Sequence, residues 1–228
     1  MRLKGYHIAL LLTWFCVLTA TAQPRLRQPE MYIGVHGGVL ASMMMWLPEV
    51  EGTSRIEQTV MLSGNGGFVF RYAHHKYCGL QVELNYMQRG WREKVPATET
   101  QQGGYYKRCL NYLELPFLMH IYFGKNAGRG FVNLGPQIGY CFKESWSGVK
   151  NTKEENSAQY KKLDRPFDWG IAGGIGGYYR SEKAGVFQIE ARFNYSLGDS
   201  FANGKADYFD MSHAMNLSLN LAYLWQIK

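Results

Sequence analysis

The chain has 228 residues and is basic, with 25 Lys and Arg against 18 Asp and Glu, a formal charge of +7 and a slightly negative mean hydropathy. That length suits one domain, and that hydropathy excludes a helical membrane protein, because no stretch beyond the N-terminus is apolar enough for a spanning helix. The cations are scattered and fall mainly in expected loops, which argues against nucleic acid as a partner.

The first segment carries Arg2 and Lys4, an apolar run from Ile8 to Leu18, and Ala20-Thr21-Ala22 before Gln23. This order is that of a secretory signal cleaved after Ala22. The run is short of the ~20 residues a helical anchor needs. Thr13-Trp14-Phe15 are too bulky for a lipid-attachment box at Cys16. Residues 1–22 are therefore expected to be removed, leaving residues 23–228 as one barrel domain with a charge of +5.

Eight strands are expected after it, at Tyr32 to Met44, Gly66 to Tyr72, Gly79 to Gly90, Cys109 to Phe123, Phe131 to Phe142, Phe167 to Tyr179, Val186 to Ser196 and Ser212 to Ile227. The last of them alternates almost without fault, with Leu217, Leu219, Leu221, Tyr223, Trp225 and Ile227 apolar and small or polar residues between. Most are long enough for the roughly 9 to 11 residues of a tilted spanning strand. The connections after strands two, four and six are short, and those after one, three, five and seven are long and polar. The expected fold is all-β: an eight-stranded antiparallel up-and-down transmembrane barrel in the outer membrane, with long loops outside and both termini in the periplasm. The third long loop, Lys143 to Pro166, is expected to be solvated and mobile.

Aromatic residues gather at strand ends, Trp46, Trp91, Tyr105, Tyr106, Trp146 and Trp169 toward one side and Tyr77, Tyr122, Phe123, Tyr178, Tyr179, Tyr223 and Trp225 toward the other. These read as two interfacial girdles, in preference to a carbohydrate platform.

Alternation also sorts the faces. Strand three sends Leu80, Val82, Leu84 and Tyr86 outward, with Gln81, Glu83, Asn85, Met87 and Arg89 inside. Strand four turns Tyr112, Glu114, His120 and Tyr122 inward, and strand seven does so with Gln188, Glu190, Arg192 and Asn194. Eight strands enclose a space that side chains fill. Arg71, Glu83, Arg89, Glu114, Glu190 and Arg192, with Asp168 and His120, are thus expected to form a desolvated structural network, since buried charges need partners. Arg89 and Glu114 fall at similar heights on adjacent strands and are expected to pair. Gly170, Gly174 and Gly176 should leave room for bulky lumen side chains, and Pro116 should sit at a bulge.

No catalytic, metal or cofactor site is expected. The odd set Cys78, Cys109 and Cys141 lacks metal spacing, and alternation puts Cys109 and Cys141 on opposite faces, which disfavours a disulfide. Ser42 and His213 could meet at the outer rim, but no acid completes them. An open porin conflicts with the strand count, because diffusive channels need ~16 strands.

Four stretches, Gly79-Leu80-Gln81-Val82-Glu83-Leu84-Asn85-Tyr86 ending in Arg89-Gly90, Asn111 to Pro116, Asn133 to Tyr140, and Phe167-Asp168-Trp169-Gly170, resemble the PorT-like outer-membrane β-barrel family of the Bacteroidetes envelope. The resemblance covers essentially the whole mature chain. It implies an eight-stranded outer-membrane barrel, with outer-membrane lipid and envelope or secretion-machinery proteins as partners, and it carries no catalytic residue. A contact scaffold or accessory part of protein export is the function it suggests, against a surface-binding barrel or a lipid-modifying enzyme.

Overall fold

A computed structural model describes residues 25–49, 58–97, 102–124, 127–150, 160, 162–181, 184–201 and 209–227, so the expected signal segment lies outside it. The strands are β1 (Arg25–Glu49), β2 (Gln58–Thr59), β3 (Met61–His75), β4 (Cys78–Val95), β5 (Gly104–Phe123), β6 (Gly128–Gly148), β7 (Phe167–Ser181), β8 (Gly185–Ser196) and β9 (Phe209–Gln226). β2 is a two-residue piece that pairs with β4 just ahead of β3. The other eight pair antiparallel with their sequence neighbours, and β1 pairs with β9, so the wall closes on itself.

The stagger of the wall can be read directly. Following paired residues once round from Glu30 through Ala73, Gly79, His120, Asn133, Gly174, Arg192 and Ser218 arrives at Leu40, ten residues along the starting strand. With eight strands this shear tilts them by about 40° and leaves an interior that side chains can fill.

Alternation governs both faces. Leu80, Leu84, Tyr86, Leu113, Phe117, Met119, Ile121, Phe187, Ile189, Phe193, Leu217, Leu219 and Leu221 are exposed on the outside, while Gln81, Glu83, Asn85, Met87 and Arg89 are buried inside. A continuous outward apolar band around a polar interior inverts the plan of a water-soluble protein. The turns at the short-connection end are tight. Gly124 (φ 116°) and Gly185 (φ 85°) take left-handed backbone there that other residues rarely adopt.

Several expectations are corrected. The second strand reaches back to Met61, because Ser63, Gly64, Asn65 and Gly66 pair in register with Leu40, Val39, Gly38 and Gly37 of β1 despite their weak strand preference. β4, β5 and β6 likewise climb well past the expected ends. Pro116 sits opposite Gln137 without a shift of register, and its missing donor only interrupts the β4 ladder between Val82 and Asn85. The register shift in β5 falls instead between Asn111 and Tyr112, where the partner on β6 jumps from Lys143 to Cys141.

The third long loop is not wholly solvated. Its strand portion runs to Gly148, and Tyr160 and Leu163 are buried against the barrel. The aromatic girdles are thinner than expected, because Trp91, Tyr106 and Tyr122 are buried inside and Tyr178 packs inward on Phe131. Trp91 simply continues the inward phase of Arg89. Tyr105, Trp146, Trp169, Tyr77, Phe123, Tyr179 and Trp225 are exposed. The side chain of Trp46 lies outside the described set.

Candidate functional site: the barrel interior

The interior is filled in tiers. At the short-turn end, Arg180 Nη1 donates to Glu30 Oε1 at 3.0 Å, and the Tyr32 hydroxyl donates to Glu30 Oε2 at 2.7 Å. Above it lies an aromatic layer in which His120 packs 4.9 Å from Phe131 and 5.6 Å from Tyr122. Gly176 faces Phe131, and a Cβ there would overlap that ring.

The middle tier centres on Arg192. Its guanidinium donates to both oxygens of Glu83, at 2.5 and 2.7 Å, and to both of Glu190, at 2.9 Å each. Glu83 also accepts from Gln81 at 2.5 Å and Asn85 at 2.8 Å, and Glu190 from Asn133 at 3.0 Å and Gln188 at 3.2 Å. Arg71 joins through glutamines rather than carboxylates, donating to Gln81 Oε1 at 2.7 Å and to Gln188. His36 Nε2 lies 2.7 Å from Asn85 Oδ1, and His120 Nδ1 lies 2.7 Å from Asn133 Oδ1. Gly174 borders this tier, and a methyl group there would overlap the Glu190 carboxylate. Forked, charge-assisted bonds of this kind fix side chains at one geometry, and they strengthen as water is excluded.

One level higher, Arg89 pairs with Glu114 and donates through Nη1 to Asp168 Oδ2 at 2.5 Å. Ser196 donates to the same oxygen at 2.6 Å, and the Tyr112 ring lies 4.7 Å from the guanidinium carbon. Arg71, Glu83, Arg89, Glu114, Glu190 and Arg192 are all buried, as are Asp168 and His120. They divide into two clusters, one on Arg192 and one on Arg89.

An apolar cap closes the end with long connections. Met44, Trp91, Leu110, Tyr112, Cys141 and Ala214 of the wall pack with Leu163 and Phe201, which come from the connections after β6 and β8. Phe201 is fully buried, edge-on to Trp91 at 6.1 Å, and held by its amide to Ser212 Oγ at 3.1 Å. Arg108 covers its outer side at 5.4 Å and pairs with Glu144 at 2.7 Å. Glu144 in turn accepts from the Leu163 amide at 3.2 Å, and the Tyr160 hydroxyl donates to Glu93 at 2.8 Å.

The side chains of candidate chemistry do not converge. Ser42 points inward, where its hydroxyl meets both the carbonyl and the amide of Gly90 at 3.0 Å. His213 belongs to the opposite face of the wall, 2.9 Å from the Tyr195 hydroxyl and 3.5 Å from Asp199. An acid therefore does stand beside His213, but the serine is on the other side of the sheet. Cys78, Cys109 and Cys141 are unbridged, and Cys109 pairs across from Ser145 rather than Cys141. Among the described residues no group of three His, Cys, Asp or Glu side chains could hold a metal ion.

Alternation carried through strands one and five would have placed His36, Asn133 and Gln137 inside. The partnership of Arg192 with Glu83 joins strands that are not neighbours, so local pattern does not contain it. Phe201 and Leu163 lie in polar connections and carry no periodic signal.

Among solved structures, the chain is similar to the outer membrane protein OprG from Pseudomonas aeruginosa, at 14% identity and a TM-score of 0.51 over 86% of this chain and 96% of that one. The E. coli outer membrane protein W gives 16% identity and a TM-score of 0.40 over 90% and 100%. Ail, the attachment invasion locus protein of Yersinia pestis, gives 12% and 0.40 over 86% and 99%. No curated protein matches the chain in sequence. The likeness to OprG is one of fold, an up-and-down antiparallel barrel of the outer membrane. The profile of the outer membrane protein beta-barrel domain matches residues 22–202, most of the closed wall just described, and the chain belongs to that family.

Proposed function

We propose that this outer-membrane barrel is closed to solutes, performs no catalysis and works by contact, as a scaffold or accessory component of protein export. The observation that carries the reading is the filled lumen, two ion-pair clusters beneath an apolar cap built on Trp91, Leu163 and Phe201. A barrel with no aqueous path acts through its rims and its outer wall. In this reading the short turns face the periplasm and the long connections face outward, the arrangement usual in bacterial barrels. The link to export rests on the resemblance of the four motif stretches to PorT-like barrels.

Two measurements test it. Purified protein in planar bilayers should give no unitary conductance above the lipid background, and steady openings would overturn the closed lumen. Quantitative mass spectrometry of the surface and periplasmic proteins of a strain lacking the gene should show a defined cargo set lost from the surface and accumulating in the periplasm. An unchanged distribution would remove export and leave a surface-binding scaffold.

A further inference from the structure

The outward face of β4, β5 and β6 changes character toward the long connections. Its unbroken apolar band runs up to Tyr86, Leu113, Tyr140 and Phe142, all exposed, and beyond it the exposed rings of Tyr105 and Trp146 stand among polar and charged positions. At the edge of that band the Tyr86 hydroxyl donates to Asn111 Oδ1 at 2.7 Å and accepts from Gln88 at 3.0 Å. Such a polar seam marks where hydrocarbon gives way to headgroups. Two strand steps higher, exposed Arg92 and exposed Lys107 sit directly opposite each other on β4 and β5. Exposed Lys94 lies next along the strand, facing Tyr105.

Like charges directly opposed on antiparallel strands destabilise a sheet. Here no carboxylate among the described residues relieves them. The acids of the same strand segments, Glu93 and Glu144, turn inward to Tyr160 and Arg108. Tyr105 instead holds the Arg92 guanidinium over its ring, with the guanidinium carbon 3.9 Å from the ring centroid. Around this pair opens a cavity of about 390 Å³ lined by Val60, Leu62, Arg92, Tyr105, Lys107 and Ser147. Val60 and Leu62 are exposed and apolar, so the recess joins two cations and a serine hydroxyl to a greasy flank.

We propose that this recess binds the phosphorylated saccharide headgroup of an outer-leaflet glycolipid. The planar guanidinium suits a phosphate taken in a fork, the lysine supplies a second charge, and the hydroxyls of Ser147 and Tyr105 suit sugar oxygens. Val60 and Leu62 give the acyl carbons next to the headgroup an apolar flank. A headgroup phosphate offsets the repulsion between Arg92 and Lys107, giving the opposed pair a stabilising occupant. The lipid assignment rests on the orientation proposed above, with the long connections outside.

The test uses the full mature chain folded in zwitterionic detergent at low salt. The probes are bisphosphorylated lipid A, the same lipid dephosphorylated, phosphatidylglycerol and inorganic phosphate, followed by tryptophan fluorescence. Lipid A should bind, and Arg92→Gln with Lys107→Gln should weaken it about thirtyfold, as should dephosphorylation. Lys107→Arg should stay near the wild type. Both substituted side chains are on the outer surface, and the heat-dependent gel shift verifies that each variant is folded. Equal binding by the double variant, or by dephosphorylated lipid, would overturn the proposal. Phosphatidylglycerol or inorganic phosphate binding as tightly as lipid A, with the same loss in the variant, would overturn it in favour of a general phosphate site. Separately, Lys94→Cys on intact cells should react with an impermeant thiol reagent above the wild-type background. Failure there, with binding in detergent intact, would overturn the orientation and the leaflet, and not the chemistry of the recess.

Discussion

Arg192→Ala should lower the unfolding free energy of the barrel by about 3–5 kcal/mol, the usual cost of leaving a buried charge uncompensated. The reason lies in how much converges on one guanidinium. Arg192 donates four bonds to two carboxylates, Glu83 across the lumen and Glu190 on its own strand. Without it, Glu83 keeps amide donors from Gln81 and Asn85, and Glu190 keeps Asn133 and Gln188. Those are dipoles, and Arg71, which joins the tier through Gln81 and Gln188, can balance only one of the two charges. Glu83→Gln should cost less, about 1–3 kcal/mol, because Arg192 still faces Glu190 and the amide still accepts one bond. Urea titration in detergent, read by the gel mobility of unboiled samples, ranks the variants. An Arg192→Ala barrel within about 1 kcal/mol of the wild type would mean that water reaches this tier.

Arg89→Met should be comparably damaging, by about 3–5 kcal/mol, and for the same physical reason. Glu114 and Asp168, which flank Gly139 on the same side of the wall, would then be left as two neighbouring carboxylates, with the Ser196 hydroxyl donating on the Asp168 side. The informative control removes the charges as well. Arg89→Met combined with Glu114→Gln and Asp168→Asn should recover most of the loss, since a neutral polar tier leaves no unpaired ion. Arg89 also stacks against Tyr112, a member of the apolar cap, so the single variant should shift the emission of the tryptophans to the red as Trp91 gains access to water. Failure of the triple variant to recover stability would show that Arg89 acts mainly through packing.

The fold was largely legible because a barrel obeys one rule everywhere. Inward and outward phases set by Gln81 to Arg89 and by Gln188 to Asn194 hold in the structure, and they follow from a period of two with lipid on one side. What pattern could not supply was length and depth. Met61 to Gly67 is rich in glycine, serine and asparagine, and becomes strand only because β1 offers it a ladder. The rise of β4, β5 and β6 was hidden because beyond the apolar band the outward positions, Arg92, Lys94 and Lys107, are charged and look like loop. The same change of outward chemistry concealed the inward phase, so Trp91 and Tyr106 read as surface aromatics when they are interior.

The interior was legible as a list of residues and less so as a circuit. Arg89 and Glu114 lie on adjacent strands and pair as expected, although the register sets them four residues apart, Arg89 opposite Leu110 and Glu114 opposite Asn85, so the long arginine side chain spans the offset. Arg192 and Glu83 lie on β8 and β4, and their meeting depends on the diameter of the ring. Phe201 and Leu163 belong to connections whose path over the mouth is a matter of tertiary packing. The interior contacts that pattern left unread are those that cross the lumen or descend from above it.

The pairing of β1 with β9 has a kinetic side. Apart from the two-residue β2, every other seam joins strands that follow each other along the chain and can form as hairpins, but this one joins the first strand to the last, from Tyr32 with Gln226 to Glu49 with Phe209. Until it forms, two long edges present unpaired donors and acceptors, and the half-built sheet is open to pairing with another chain. Loop closure over nearly the whole polypeptide is slow. Biogenesis of this barrel therefore has one late, committing event, at which the nascent sheet must be shielded until its ends meet.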